Sequence, residues 1–115
     1  MRTLKELTSL ETVDTFITEH SLSFIYISKT NCSVCHSLLP QVREVMNDFP
    51  LIQMGHLNAD YVEEIAGHFS IFTAPVLILF VDGKEFLREA RFIHLEQLRE
   101  KIKRIYDGYT IENEK

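Results

Sequence analysis

An apolar run at Pro75–Val81, reading PVLILFV, constrains the fold of this 115-residue chain more than any other segment. Its β-branched and aromatic residues indicate a strand, and the lack of polar side chains indicates that both faces of that strand are covered. Asp82-Gly83 follows as a hairpin signal and predicts an antiparallel partner over residues 85–91. Segments with helical spacing alternate with the strands, so helices are expected on both sides of one sheet.

Two further apolar runs, Leu22–Ile27 and Leu51–Leu57, are typical of strands. Before the first of them, apolar residues at helical spacing predict a helix that begins with a Thr8-x-x-Glu11 capping box. A long amphipathic helix with Pro40 inside it separates the two strands. The first half of the chain therefore predicts the order αβαβ.

Two helices and a polar tail account for the rest of the second half. A short helix is predicted over residues 61–69 and an amphipathic helix over 95–105, and the polar residues 107–115 are expected to fray. The whole order becomes αβαβαββα, preceded by a short strand near Lys5–Leu7. We therefore predict a single α/β domain over residues 1–115, with a mixed central β-sheet flanked by helices on both faces.

Composition and charge limit the classes of function. The formal net charge of −5 argues against nucleic acid or an anionic membrane as a partner, because both attract a basic surface. The first ten residues lack the apolar stretch of a secretory signal, and the longest apolar run, Ala74–Val81, is too short to span a bilayer. We therefore expect a cytoplasmic protein. In that reducing compartment two cysteines are expected to be reactive rather than structural.

The chain has two cysteines, and both lie in the string Cys32-Ser33-Val34-Cys35-His36. A pair this close can alternate between dithiol and disulfide without unfolding the protein, whereas a structural disulfide gains more by closing a longer loop. The pair follows a strand and opens a helix, where unpaired N–H groups and the helix dipole stabilise a thiolate. Cys32 is therefore the candidate nucleophile, and Cys35, one turn later, is the candidate resolving thiol.

The same string permits other chemistry. C-x-x-C-H is the attachment signature of a c-type haem, and cysteine with histidine is a common zinc ligand set. Zinc needs four ligands and no second cysteine pair is present, while covalent haem occurs in exported proteins. An inert pair on a binding scaffold is a further alternative. The strand-to-helix context favours redox exchange, for which no cofactor is expected.

The surroundings of the pair resemble thioredoxin. The cysteines lie at a strand-to-helix junction, Pro40 follows the second cysteine by five residues, and Thr73-Ala74-Pro75 opens an apolar strand. With the hairpin and the last helix included, the resemblance covers residues 3–106. It implies a thioredoxin-like fold in which Pro75 is a cis-proline packed against the disulfide. It also implies that the backbone of Ala74 pairs with the substrate like a strand.

The departures from the family pattern surround the same site. Asn31 stands where the family has a tryptophan, Ser33-Val34 where it has Gly-Pro, Tyr26 for a buried aspartate, His56 for its lysine partner, and Arg91 for a glycine. Without the resemblance, the local sequence predicts that Tyr26 is a core aromatic residue whose hydroxyl has a hydrogen-bonding partner. It predicts that His56 is a partly exposed residue of the sheet. Ser33, Val34, His36, Tyr26 and His56 are the candidates for tuning the thiolate.

The leading prediction is an enzyme, a thiol–disulfide oxidoreductase that acts as a reductase. Its substrate would be a protein or small-molecule disulfide, and its electron donor a reductase or a low-molecular-weight thiol. The alternative is a non-catalytic binding or adaptor domain that holds a partner at the cis-proline edge. Neither interpretation needs a metal, a nucleic acid or a membrane.

Overall fold

A computed structural model of the protein describes residues 3–71 and 73–113. The chain order in those residues is βαβαβαββα, which is the predicted order with the short first strand in place. The elements are β1 Leu4–Leu7, α1 Leu10–Glu19, β2 Leu22–Ser28, α2 Ser33–Met46, β3 Gln53–Asn58, α3 Glu64–His68, β4 Val76–Val81, β5 Lys84–Ala90 and α4 Leu95–Asn113.

The strands form one mixed sheet in the order β1-β3-β2-β4-β5. The pairings of β1 with β3 and of β3 with β2 are parallel, whereas β4 pairs antiparallel with both β2 and β5. Ile27 in β2 therefore lies beside Val76 at the start of β4, and Val76 lies beside Ala90 at the end of β5. This brings the segments after β2, β3 and β5 together with the segment before β4 at one end of the sheet, which we call the cysteine end.

Each face of the sheet carries its own hydrophobic core. Alternate residues of β2 and β4 point to opposite faces, and every residue of both strands is buried. On one face they pack with α2 and α4, and on the other with α1 and α3. The prediction of a mixed sheet covered by helices on both faces is confirmed.

The hairpin after β4 has the geometry that its sequence predicts. Asp82 and Gly83 both have positive φ angles, of 51° and 81°. Two consecutive residues of this kind are typical of the tight turn that matches the twist of paired strands, and Asp-Gly is a preferred sequence for it. The partner strand β5 occupies residues 84–90, one residue earlier than predicted.

The start of α1 differs from the prediction by one residue. The capping residue is Ser9 rather than Thr8: the Ser9 hydroxyl accepts the Thr12 N–H at 3.1 Å, and the Thr12 hydroxyl accepts the Ser9 N–H at 3.0 Å. The reciprocal partner is thus Thr12 rather than Glu11. Neighbouring threonine and serine residues offer the same hydroxyl chemistry, so the pattern alone does not separate these two registers.

The prediction of a frayed tail from Asp107 is wrong as far as Asn113, because α4 continues to that residue. Tyr106 and Tyr109 pack against the core on the α2 side of the sheet, and the ring of Tyr106 lies edge-on to Phe49 with centroids 5.2 Å apart. Lys103 also pairs with Asp107 at 2.6 Å, one turn along the helix. The last two residues of the predicted tail, 114–115, lie outside the described residues.

Replacing Gly55 with alanine should destabilise the protein. A Cβ atom at this position in β3 would lie 2.8 Å from Leu7 Cδ1 and 3.1 Å from Phe16 Cε2, and both side chains are buried. We expect the free energy of unfolding to fall by about 1–3 kcal/mol, as for other overpacked cores. Urea denaturation followed by far-UV circular dichroism measures it.

Gly67→Ala is the matched control. Nothing lies within 4 Å of a Cβ atom at this position in α3, and alanine is the better helix former. This variant should be neutral or more stable by about 0.5–1 kcal/mol. A Gly55→Ala midpoint equal to that of Gly67→Ala would show that β1 and α1 do not pack as tightly on β3 as described.

Candidate functional site

Cys32 and Cys35 are joined by a disulfide at the junction of the segment after β2 and the start of α2, with their Cα atoms 5.2 Å apart. Cys32 is the N-terminal capping residue of α2, and its Sγ accepts a hydrogen bond from the Cys35 N–H at 3.2 Å. A sulfur at this position lies against the unpaired N–H groups and the positive end of the helix dipole. The geometry favours a negative charge on Cys32 once the disulfide is reduced.

The two sulfurs differ in exposure. Cys35 is buried, with 1% of its surface exposed, whereas Cys32 is only half-buried. Around them, Ser33 and Val34 are exposed on the outer side of the first turn of α2. An incoming molecule can therefore contact Cys32 more readily than Cys35.

The segment before β4 lies next to the cysteines at the same end of the sheet. The Ala74–Pro75 peptide bond is cis. Ala74 is half-buried and packs, like Cys32, against the core on the α2 side. The Pro75 carbonyl accepts a hydrogen bond from the Arg91 N–H at 3.1 Å, which ties the end of β5 to this segment.

Tyr26 connects the sheet to the first turn of α2. It is fully buried in β2, and its hydroxyl donates to the Cys35 carbonyl at 2.7 Å. Burial raises the pKa of Tyr26, because the charged phenolate is poorly solvated there. The hydroxyl therefore stays protonated and keeps its role as donor at any ordinary pH.

His56 lies beside Tyr26 on the same face of the sheet, because the two are register partners in β3 and β2. Their rings stack with centroids 6.2 Å apart. The His56 Nδ1 atom lies 2.5 Å from a Glu6 carboxylate oxygen, and its Nε2 atom lies 2.8 Å from the Ser28 hydroxyl. His56 is half-buried, as predicted, and all of its ring nitrogens have partners.

A second set of polar contacts fixes the segment that leads to Cys32. The Thr30 N–H donates to the Asp60 carboxylate at 2.8 Å, and its carbonyl lies 3.3 Å from His36 Nε2. Asn58 donates to the Thr30 hydroxyl at 3.3 Å. The Thr30 N–H holds the pKa of Asp60 below its usual value, because the hydrogen bond favours the ionised carboxylate.

The structure thus places the predicted site residues in three neighbouring groups. Cys32, Cys35, Ser33, Val34 and His36 share the start of α2, whereas Tyr26 and His56 lie in the sheet beneath it, and Ala74 and Pro75 lie beside it. Sequence reasoning missed the partners of these residues, which are Glu6, Ser28, Thr30, Asn58 and Asp60. A sequence-level signal exists only for Glu6, which lies on the predicted first strand.

Two negative findings apply to residues 3–71 and 73–113. In that part of the chain, no three cysteine, histidine, aspartate or glutamate side chains are grouped so that they could hold a metal ion. No helix among the same residues has the length and apolar character needed to cross a membrane.

Comparisons with known proteins point to one family. A family model described as Thioredoxin matches residues 5–104. The chain is 57% identical over 109 residues to the Thioredoxin-like protein YdfQ of Bacillus subtilis (strain 168), covering 95% of this chain and 97% of that protein. It is 29% identical over 80 residues to Thioredoxin of Chlamydia pneumoniae, covering 70% of this chain and 78% of that protein.

Solved structures show the same fold at lower identity. The X-ray structure of Fasciola hepatica thioredoxin superposes with a TM-score of 0.78 at 24% identity, covering 87% of this chain and 97% of that one. The crystal structure of thioredoxin from Trypanosoma brucei brucei also gives a TM-score of 0.78, at 20% identity, covering 90% of each chain. These likenesses concern the arrangement of the elements.

Replacing Tyr26 with phenylalanine should cost stability through one hydrogen bond. The variant leaves the buried Cys35 carbonyl without the hydroxyl donor, so the free energy of unfolding at pH 7 should fall by about 1–2 kcal/mol. Because the pKa of Tyr26 is raised in the folded state, its contribution is fully present below the unfolded pKa of about 10 and is lost as the pH rises through the folded pKa. The difference in unfolding free energy between wild type and Tyr26→Phe should therefore be smaller at pH 11 than at pH 8.

Tyr61→Phe is the control, because Tyr61 is 76% exposed and its hydroxyl has no role in this contact. Its unfolding free energy should match that of wild type at both pH values. Guanidinium denaturation at each pH gives all three stabilities. A gap for Tyr26→Phe that is absent at pH 8, or that is unchanged at pH 11, would contradict the assignment of this hydrogen bond.

Proposed function

This chain belongs to the thioredoxin family, and on that premise we propose that it acts as a reductase in which Cys32 attacks and Cys35 resolves. The family and the Cys32–Cys35 pair together make the protein a thiol–disulfide oxidoreductase. Its substrates are disulfides, and its electrons come from a reductase or a thiol. The single observation that carries the proposal is the disulfide between a half-buried Cys32 and a buried Cys35 at the start of α2.

The proposed reaction has two exchange steps. The Cys32 thiolate attacks one sulfur of the substrate R–S–S–R′, forms the mixed disulfide Cys32–S–S–R, and releases R′–S⁻, which takes up a proton. Cys35 then loses its proton and attacks the Cys32 sulfur, which releases R–S⁻ and closes the Cys32–Cys35 disulfide. The released R–S⁻ also takes up a proton. The substrate thus gains two electrons and two protons: both electrons come from the protein, one proton is the one that Cys35 loses, and the other comes from solvent, to which Cys32 gave its own proton when it formed the thiolate. A reductase or a low-molecular-weight thiol then reduces the Cys32–Cys35 disulfide and restores the dithiol.

The attacking role of Cys32 and the resolving role of Cys35 are proposed from the positions of the two residues. Cys32 receives the N–H of Cys35 on its sulfur and caps the helix, which favours the thiolate needed for attack. Cys35 lies beneath it and is 1% exposed, so it can reach the Cys32 sulfur but not a large substrate. An attacking group and a protected resolving group are what the two steps require.

We place substrate binding at Ala74 and Pro75. Both precede the first residue of β4 and lie beside the segment that carries Cys32, because β2 and β4 are paired at this end. An extended peptide could align with the backbone of Ala74 and present its disulfide to Cys32. This mode uses the backbone hydrogen bonding of a strand added to another strand.

Five residues are proposed to tune the exchange. Ser33, Val34 and His36 surround the sulfurs in the first turn of α2, and a protonated His36 would favour the Cys32 thiolate. Tyr26 and His56 act from the sheet. The Tyr26 hydroxyl donates to the Cys35 carbonyl, and the His56 ring stacks on the ring of Tyr26. We also propose the cytoplasm as the location, since a reductase needs a compartment that supplies electrons.

A trapping experiment tests the roles of the cysteines. In Cys35→Ser, the mixed disulfide on Cys32 has no resolving thiol, so it should accumulate in an oxidised cell lysate and be released by dithiothreitol. In Cys32→Ser, the buried Cys35 should trap little. Both variants should lose the reduction of insulin by dithiothreitol, down to the uncatalysed rate, while wild type accelerates it.

The controls separate enzyme from scaffold. Both variants must show wild-type circular dichroism, so that a loss of activity is not a loss of fold. Equal trapping by Cys32→Ser and Cys35→Ser would overturn the assigned roles. A wild type that leaves insulin unreduced and a trap that captures nothing would favour the alternative, a binding domain that uses the edge at Pro75.

A further inference from the structure

We infer that Arg91 sets substrate specificity by favouring disulfides that have an acidic residue beside the reacting cysteine. The inference rests on the proposed function, since it assumes that peptides approach the edge at Ala74 and Pro75. It adds the chemical class of the preferred substrate and names a residue outside the cysteine pair. Placement, backbone geometry and charge support it independently.

Placement comes from the register of the sheet. Ala90, the last residue of β5, pairs with Val76, the first residue of β4, so Arg91 follows directly beside Pro75. The Arg91 N–H donates to the Pro75 carbonyl at 3.1 Å, which fixes this neighbourhood. Paired strands lie about 4.8 Å apart, a distance that an arginine side chain exceeds. A peptide aligned with Ala74 therefore lies within its reach.

The backbone at Arg91 is unfavourable for a residue with a side chain. Its φ angle is +67°, in the left-handed region that glycine occupies without strain. The hydrogen bond to Pro75 needs only the backbone N–H, which glycine would also provide. The fold therefore gives no reason for a long cationic side chain here, and strained residues of this kind concentrate at functional sites.

The charge of Arg91 is available to a ligand. Its side chain is exposed, and within residues 3–71 and 73–113 it takes part in no ion pair. By contrast, Arg88 pairs with Glu85 and Arg99 pairs with Asp48. The whole chain carries a net charge of −5, so an acidic substrate meets overall repulsion and needs a local cation at the site.

Apolar surface adjoins this cation. Phe92, the next residue, is 82% exposed, and on the cysteine side of the site Val34, two residues after Cys32, is 56% exposed. Such side chains give a peptide general affinity without selecting a charge. Selection between acidic, neutral and basic peptides therefore falls to Arg91.

Three synthetic peptides test the inference. The peptides share one short sequence and the same mixed disulfide, and they differ only in the residue next to the cysteine, which is Glu, Gln or Lys. Each peptide is reduced by the pre-reduced protein under pseudo-first-order conditions. Wild type should reduce the Glu peptide about two- to fivefold faster than the Gln peptide, the range expected for one exposed ion pair, and the Lys peptide more slowly. The preference should shrink in 0.5 M salt, because the interaction is exposed.

Variants assign the preference to one side chain. Arg91→Gln should remove it, Arg91→Glu should reverse it, and Arg91→Lys should retain most of it at the same backbone position. Lys84→Gln is the matched control for net charge: Lys84 begins β5 at the opposite end of the sheet, about 20 Å away, and its loss should leave the preference intact.

The outcomes are distinguishable. Equal rates for the three peptides with wild type would overturn the inference and leave the reductase function standing. A preference that survives in Arg91→Gln would overturn it in the same way. Failure of wild type to reduce any of the peptides would overturn the proposed function, and the specificity with it.

Discussion

Strands β2 and β4 pair antiparallel at the centre of the sheet, with Ile27 beside Val76 and both faces of each strand buried. This pairing fixes the relation between the segment that carries Cys32 and the segment that carries Pro75, although the two are far apart in sequence. Burial on two faces gives each strand little freedom to shift, because a slip by one residue would exchange its two faces. The core therefore sets the relative positions of the two segments that form the site.

Polar side chains form a row across the sheet beneath α2. Glu6, His56 and Tyr26 are neighbours on adjacent strands, and each has a hydrogen-bonding partner. In the thioredoxin pattern that this chain resembles, a buried aspartate stands at the position of Tyr26 and a lysine at that of His56. Here a neutral hydroxyl reaches the Cys35 carbonyl, so no unpaired charge is buried below the sulfurs. The helix terminus, where the Cys32 sulfur accepts the Cys35 N–H, favours a negative charge on Cys32.

The local pattern predicted the elements and the cysteine pair well, because strand and helix periodicity and the Asp82-Gly83 turn act over a few residues. The local pattern did not predict features that depend on contacts between residues far apart in sequence. Tyr106 extends α4 by packing on Phe49, which is remote in sequence, and the polar partners of His56 and Thr30 depend on strand register. Register follows from the packing of whole faces, so a single stretch of sequence does not contain it.

The outer edge of the sheet at β5 has a consequence for association. An edge strand leaves a row of backbone groups unpaired, and another chain can add to it and start aggregation. Along β5, Lys84, Glu85, Arg88 and Glu89 place charges of both signs, and such charges oppose the approach of a second strand. The charged side chains of β5 thus protect the open edge of the sheet from polymerisation.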